Sequence, residues 1–244
     1  MKLVDALKNS GVSAIIYGEA GSGKTHFCGT LPGTTLIIAA EANGIKTLER
    51  SRNPEKIDVE KLPSPGATIA ETAKRYDQFF EALLTAELVY DNIVLDSATE
   101  LANQLMITKT DLSKNGGAPA QHTYLEVQWA MRRYLRILRD LAALQGKNVI
   151  VTALESELML SQNADASNSK THPALTGKKL SPEAEGLFDI VGHMEKTSAG
   201  VRYIRLEGNE TFVAKDRFGR KACVADGEIF VKGLTGNEEN KENK

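Results

Sequence analysis

The chain has 244 residues, of which 41% are hydrophobic and 25% are charged, and its formal net charge is −2. This composition predicts one domain with a sizeable core over residues 1–235, and the polar residues 236–244 should be disordered. The low charge excludes a global attraction to nucleic acid, and the lack of a membrane-length apolar run or signal-peptide pattern predicts a cytoplasmic protein without membrane contact.

The first predicted elements are a strand, a glycine-rich turn and a helix. Residues 13–17 form an apolar run typical of a buried strand, and residues 26–28 begin a helical pattern. Between them lies the phosphate-loop pattern G-x-x-x-x-G-K-[ST], in which backbone N–H groups cradle phosphates, the lysine reaches the β and γ phosphates and the last hydroxyl binds Mg²⁺. The predicted nucleotide-binding residues are Gly18, Glu19, Ala20, Gly21, Ser22, Gly23, Lys24 and Thr25.

Apolar runs alternate with helical patterns along most of the chain, which is typical of a mostly parallel sheet flanked by helices. The next predicted strands are 34–40, 92–95 and 148–152. From about residue 187 the pattern changes to short alternating runs, which predict antiparallel strands near the carboxyl terminus. Those runs are 190–194, 201–206 and 211–213. The predicted fold class is α/β.

Two of the predicted parallel strands end on acidic residues. Asp96 follows the strand 92–95, where a phosphate-loop enzyme places the carboxylate that holds Mg²⁺ through water. Glu41 follows the strand 34–40 and should face the same crevice, because the carboxyl ends of parallel strands share one edge. Glu41 either polarises an attacking water or favours the first turn of the next helix by its charge.

The longest predicted helix covers about residues 122–145. Its apolar stripe includes Val127, Met131 and Leu135, and Trp129 is expected to pack near that stripe in the core. A basic face lies opposite the stripe, and it is either a solvated surface or a patch for DNA or another subunit. The basic residues are Arg132, Arg133, Arg136 and Arg139.

Three stretches together resemble the RecA-like recombinase core. They are Ile37 to Glu41, Asn92 to Ser97, and Phe212 to Arg217, which runs into a Lys-x-basic turn. The chain looks most like the small phage recombinases, which are often labelled only as nucleotide-binding or AAA-family proteins.

This resemblance implies a role for each matching residue. Glu41 would be the catalytic base, Asp96 would bind the magnesium water, and Lys215 and Arg217 would reach the γ-phosphate bound by a neighbouring subunit. In the family a glutamine follows the strand before the second DNA loop. Here Glu155 and Ser156 are the candidates for its replacement.

Two polar segments are candidates for DNA contact, because both should leave the carboxyl side of the sheet. The first covers residues 109–122 and contains Lys109 and Lys114. The second covers residues 161–181 and contains Lys170, Lys178 and Lys179. Lysines in such loops can contact phosphates, although a solvated loop has the same composition.

The sequence therefore predicts a RecA-like ATPase that uses ATP and Mg²⁺ at a subunit interface and acts on single-stranded DNA in phage-type recombination or annealing. Implied partners are single-stranded DNA, further copies of the chain and a single-strand-binding protein. The alternatives are an AAA-type remodelling or helicase-loading ATPase, and a nucleotide-dependent switch that binds a partner with little turnover.

Overall fold

A computed structural model describes residues 10–41, 44–62, 69–110, 117–159, 169–177 and 179–233 of the chain. Among the predicted DNA-binding residues, Lys114 and Lys178 lie outside the described residues, as does the tail 236–244.

The described residues form strands, α-helices and two short 3₁₀ helices. The strands are β1 (Ser13–Tyr17), β2 (Thr35–Ala39), β3 (Ile57–Lys61), β4 (Asn92–Asp96), β5 (Asn148–Ala153), β6 (Glu155–Met159), β7 (Ser169–Pro173), β8 (Ile190–Lys196), β9 (Arg202–Arg205), β10 (Lys215–Asp216) and β11 (Ala222–Val224). The α-helices are α1 (Lys24–Cys28), α2 (Ile69–Thr85), α3 (Ala98–Lys109), α4 (Gln121–Gln145), α5 (Leu180–Leu187) and α6 (Gly227–Lys232). The 3₁₀ helices are Gly44–Arg50 and Pro54–Lys56.

One large sheet has the strand order β11-β9-β8-β1-β5-β4-β2-β3, with β10 also paired to β8. The strands from β8 to β3 are parallel, whereas β9, β10 and β11 join antiparallel at the β8 side. The predicted α/β fold with a mostly parallel sheet and late antiparallel strands is therefore confirmed. Strand β5 separates β1 from β4, so the ends of β1 and β4 face each other across one strand.

The central strands are buried on both faces, which is why their sequences read as continuous apolar runs. Alternate residues of β1 point to opposite faces: Ile15 joins a core formed with α2, α3, α4 and α5, while Ile16 joins a second core with α1 and α6. Phe80 stacks on Tyr134 in the first core, and Phe27 meets Phe230 edge to face in the second. This packing holds the carboxyl ends of the strands in a fixed arrangement.

The prediction of a strand at residues 211–213 was wrong. Residue Phe212 forms only an isolated parallel bridge to Thr171. The side chain of Asn209 accepts hydrogen bonds from the backbone N–H groups of Thr211 and Phe212, and such a local turn competes with strand pairing. The segment therefore turns instead of joining the sheet.

The expectation of one continuous loop over residues 161–181 was also wrong. The β7 strand and the start of α5 lie inside that range, and β6 and β7 pair as an antiparallel two-stranded sheet. The sequence of β7, Ser-Lys-Thr-His-Pro, carries almost no apolar signal. Its strand conformation depends on its pairing with β6, which a pattern of hydrophobicity does not reveal.

Trp129 does not pack in the core as expected, because its side chain is 68% exposed. It lies two positions from both Val127 and Met131, and two steps of an α-helix turn by about 200°, which places it opposite the buried stripe. Tyr124 and Leu125 are also exposed on α4. The amino-terminal half of α4 thus presents apolar surface to solvent.

The basic face of α4 is largely neutralised within the chain. Arg132 pairs with Glu183, Arg133 with Asp77 and Glu81, and Arg139 with Asp140. These intrachain ion pairs account for three of the four arginines without a partner molecule, as a solvated surface would. Within the described ranges, no helix is both long enough and apolar enough to cross a membrane.

Candidate active site

The phosphate loop leaves the carboxyl end of β1 and enters α1. At Gly18, a β-carbon would lie 2.3 Å from the carbonyl oxygen of Met194, so only glycine allows β8 to approach this closely. Gly23 has φ of +107°, a left-handed conformation that side chains strain. These two glycines let the loop curl back over the end of the sheet.

The ammonium group of Lys24 is held inside this loop. It donates hydrogen bonds to the carbonyl oxygens of Gly18 and Glu19, at 2.9 and 2.8 Å. Burial lowers the pKa of Lys24, while the carboxylates of Asp96 and Glu41 oppose that shift by favouring the charged form. A buried cation flanked by carbonyl oxygens and carboxylates is a strong electrostatic partner for a phosphate that enters the loop.

Asp96 lies at the end of β4, where hydroxyl groups hold both oxygens of its carboxylate. The hydroxyl of Thr25 donates to Oδ2 of Asp96 at 2.8 Å, and the hydroxyl of Thr152 donates to Oδ1. Thr152 reaches it because β5 lies directly between β1 and β4. The two predicted metal ligands, Thr25 and Asp96, are therefore in direct contact.

Glu41 lies just beyond β2, on the same edge of the sheet. The hydroxyl of Ser97 donates to Oε1 of Glu41 at 3.0 Å, and Ser97 directly follows Asp96 in a cis peptide bond. A β-carbon on Gly44 would lie 3.6 Å from Oδ2 of Asp96 and 3.7 Å from Oε2 of Glu41. The two carboxylates thus flank one small space, as the shared edge of parallel strands requires.

These groups surround a cavity of about 460 Å³, which is within the size range of small-molecule sites. Two arginines, Arg50 at the end of a 3₁₀ helix and Arg202 at the start of β9, complete its walls. The full lining is Ala20, Gly21, Gly23, Lys24, Thr25, His26, Glu41, Gly44, Thr47, Arg50, Asp96, Ser97, Leu154 and Arg202.

The donor set fits a nucleotide with Mg²⁺. Magnesium takes hard oxygen ligands and is usually held by one or two protein groups together with phosphate oxygens and water. Thr25 and Asp96 offer one hydroxyl and one carboxylate next to the loop, so they would hold the ion there. The described residues contain no group of three or more His, Cys, Asp or Glu side chains arranged for a metal.

Lys215 and Arg217 lie away from this cavity. Lys215 pairs with Val191 of β8, level with Ile15 in the middle of β1, and its ammonium group donates to the carbonyl of Glu185. Arg217 pairs with Asp189 at 3.1 Å, and Asp189 accepts from the backbone N–H of Ser13. A strand rises about 3.3 Å per residue, so Ser13 lies about 16 Å from Gly18 along β1. Arg217, which is anchored at the level of Ser13, therefore lies outside its own phosphate site.

The described lysines of the predicted DNA segments occupy different environments. Lys109, the last residue of α3, lies 3.7 Å from the carboxylate of Glu126. Lys170 lies on β7, opposite Leu158 of β6, and Lys179 is exposed just before α5. Lys170 lies within the two-stranded β6–β7 sheet and Lys179 lies after it. The first residue of that sheet, Glu155, accepts a hydrogen bond from Nε2 of His193 at 2.9 Å and lines a second cavity beside Glu19 and Ser22.

Sequence reasoning missed several residues of the site, among them Thr152, Ser97, Arg50 and Arg202. Thr152 was predicted only as the last residue of the strand 148–152. A polar residue at the end of an otherwise apolar strand was a signal that its side chain could contribute to the site. Ser97 orients Glu41 and also caps α3 by accepting from the N–H of Glu100. Arg202 had no local signal at all, since its position depends on the pairing of β9 with β8 and of β8 with β1.

A family model described as "AAA domain" matches residues 10–218. The matched range begins before β1 and ends after Arg217, so it contains the phosphate loop, Glu41, Asp96 and Arg202. No curated protein matches the chain.

Proposed function

The chain belongs to the AAA-domain family, and from that premise we propose that it hydrolyses ATP with Mg²⁺ and couples hydrolysis to single-stranded DNA in phage-type recombination or annealing. A nucleotide-dependent ATPase core follows from the family. The observation that carries the mechanism is the convergence of Lys24, Thr25, Asp96 and Glu41 on one cavity. We place the protein in the cytoplasm, with a single-strand-binding protein as a further candidate partner.

Each residue has a distinct task in this reaction. Lys24 neutralises charge on the β and γ phosphates, and Glu41 accepts a proton from the attacking water. Thr25 and Asp96 would hold Mg²⁺, which when bound neutralises charge on the phosphate oxygens. Thr152 and Ser97 fix the orientation of the two carboxylates. Phosphoryl transfer needs little covalent help, so positioning and charge carry the chemistry.

The first experiment measures ATP turnover with and without single-stranded DNA. We expect stimulation, and we expect Lys170→Ala with Lys179→Ala to weaken DNA binding and to flatten its salt dependence by about 0.7 per lost phosphate contact. Lys56→Ala, an exposed lysine before β3, is the matched control and should leave the slope unchanged. Unstimulated turnover together with an unchanged slope in the double variant would remove DNA from the proposal.

A protein client is the second candidate, and the surface of α4 favours it. Trp129, Tyr124 and Leu125 expose apolar groups there, while Arg132 and Arg133 are paired with carboxylates. Exposed aromatic surface is typical of protein contacts. Turnover that rises with a protein client and not with DNA would indicate a remodelling or helicase-loading ATPase, and binding with almost no turnover would indicate a switch.

We further propose that the enzyme acts as a homo-oligomer in which Arg217, assisted by Lys215, reaches the γ-phosphate of the neighbouring subunit. Arg217 is 58% exposed and lies far from its own phosphate loop, so it is available to another copy. A cation supplied in trans is a recurrent way to stabilise the charge of phosphoryl transfer.

Mixing two inactive variants tests the shared site. Arg217→Ala keeps the phosphate loop and Lys24→Ala keeps the cation, so a random equal mixture should recover about one quarter of wild-type turnover. The control mixes Lys24→Ala with the Lys24→Ala, Arg217→Ala double variant, which offers no intact loop. Absence of recovery in assemblies shown to be mixed would favour a self-contained site.

A further inference from the structure

We infer that Arg202 is a nucleotide-binding residue of this same site, supplied by the chain's own β9 strand and directed at the α and β phosphates. This inference rests on the proposed ATPase function. Sequence motifs give no sign of it, because Arg202 lies 177 residues after Thr25, outside the phosphate loop and the acidic strand ends.

The position of Arg202 over the phosphate loop is the first support. A β-carbon on Gly23 would lie 2.6 Å from both Cδ and Nε of Arg202, so the side chain packs directly against the loop backbone. Gly23 immediately precedes Lys24, in the part of the loop whose backbone N–H groups cradle the α and β phosphates. The guanidinium is therefore next to the place where these phosphates would bind.

The second support is that Nε of Arg202 is buried and has no hydrogen-bond partner. A buried unsatisfied donor is unfavourable, and Arg202, which carries this one, lines the cavity. A phosphate oxygen in the cavity offers the acceptor that the described residues do not provide. Arginine suits this task because its planar fork binds phosphate through two parallel hydrogen bonds.

The third support comes from the other arginines. Among the described residues, only Arg50, Arg136 and Arg202 form no ion pair with a carboxylate, and each of the other arginines forms at least one. Those paired arginines are Arg52, Arg75, Arg132, Arg133, Arg139, Arg205, Arg217 and Arg220. Two of the three unpaired arginines line the same cavity, and an anionic ligand would supply the missing negative charge.

The backbone under Arg202 is fixed relative to the loop. Arg202 pairs with Lys196 of β8, β8 pairs with β1, and the carbonyl of Arg202 accepts from the N–H of Ala225. A binding group on a paired strand needs little ordering when the ligand arrives. Arg202 should therefore act on nucleotide affinity, and less on the rate of the chemical step.

The test compares Arg202→Met and Arg202→Lys with wild type in titrations of ATP, ADP and AMP. Methionine keeps the apolar stem that covers Gly23 but removes the guanidinium. We expect Arg202→Met to weaken ATP and ADP binding by about 10- to 100-fold, to weaken AMP binding less because AMP carries only the α phosphate, and Arg202→Lys to recover part of the loss. KM should rise more than kcat falls, and the salt dependence of ADP affinity should flatten.

Arg136→Ala is the matched control, because Arg136 is also unpaired but exposed on α4 outside the cavity. It should leave nucleotide affinity and its salt dependence unchanged. Wild-type affinity for ATP and ADP in Arg202→Met would overturn the inference while leaving the ATPase proposal intact. Failure of the wild type itself to bind or hydrolyse ATP would instead overturn the proposed function.

Discussion

Replacing Lys24 with alanine is expected to reduce ATP turnover by at least about 10²- to 10³-fold, the range measured when one preorganised charge-stabilising donor is removed. Lys24 is the cation at the centre of the loop, and its ammonium group lies among the carbonyls of Gly18 and Glu19 and near Asp96. Turnover at saturating ATP, measured by phosphate release, gives the comparison with wild type.

The fold should survive this substitution. Lys24 lies at the edge of the sheet, and burial already disfavours its charged form, so alanine removes a group whose charge is costly to bury. Lys147→Ala is the matched control, since Lys147 also donates to a backbone carbonyl, that of Leu88 at 2.7 Å, but outside the cavity. We expect near-wild-type turnover in the control. Comparable turnover in Lys24→Ala would contradict the assignment of the cavity as the hydrolytic site.

The parallel half of the fold could be predicted because its signals are local. Strands such as β1 and β4 are buried on both faces, so each reads as an apolar run with nearly correct bounds. Strands β6 and β7 could not be predicted, because their residues are half polar and their conformation depends on pairing with each other. The predicted burial of Trp129 was wrong for a different reason. A residue two positions away from an apolar stripe lies on the opposite side of the helix.

The same division applies to the site. The phosphate loop has a linear motif, and the strand-end rule brought Asp96 and Glu41 to one edge of the sheet, where the structure also places them. Arg202 is recognisable only from the pairing of β9 with β8 and β8 with β1. Local sequence signals therefore located the residues proposed to bind phosphate and metal, whereas the two arginines that line the cavity became recognisable only from the tertiary structure.

Glu41→Gln is expected to leave ATP binding intact and to lower turnover by about 10²-fold or more, because glutamine keeps the size of the side chain but cannot accept the proton of water. The geometry supports this separation of binding from chemistry. Ser97 can donate to the amide oxygen of glutamine as it does to Oε1 of Glu41, so the side chain should keep its position beside Asp96. Single-turnover kinetics and nucleotide titration measure the two effects independently.

Glu49→Gln provides the matched control, since Glu49 is exposed on the 3₁₀ helix that follows Glu41 and does not line the cavity. It should hydrolyse ATP at the wild-type rate. If Glu41→Gln also did so, the carboxylate would serve the local structure of the following segment, as the alternative interpretation of its sequence position holds. Asp96, the other described carboxylate that lines the cavity, is held by Thr25 and Thr152, so a failed test would place the base outside this pair of carboxylates.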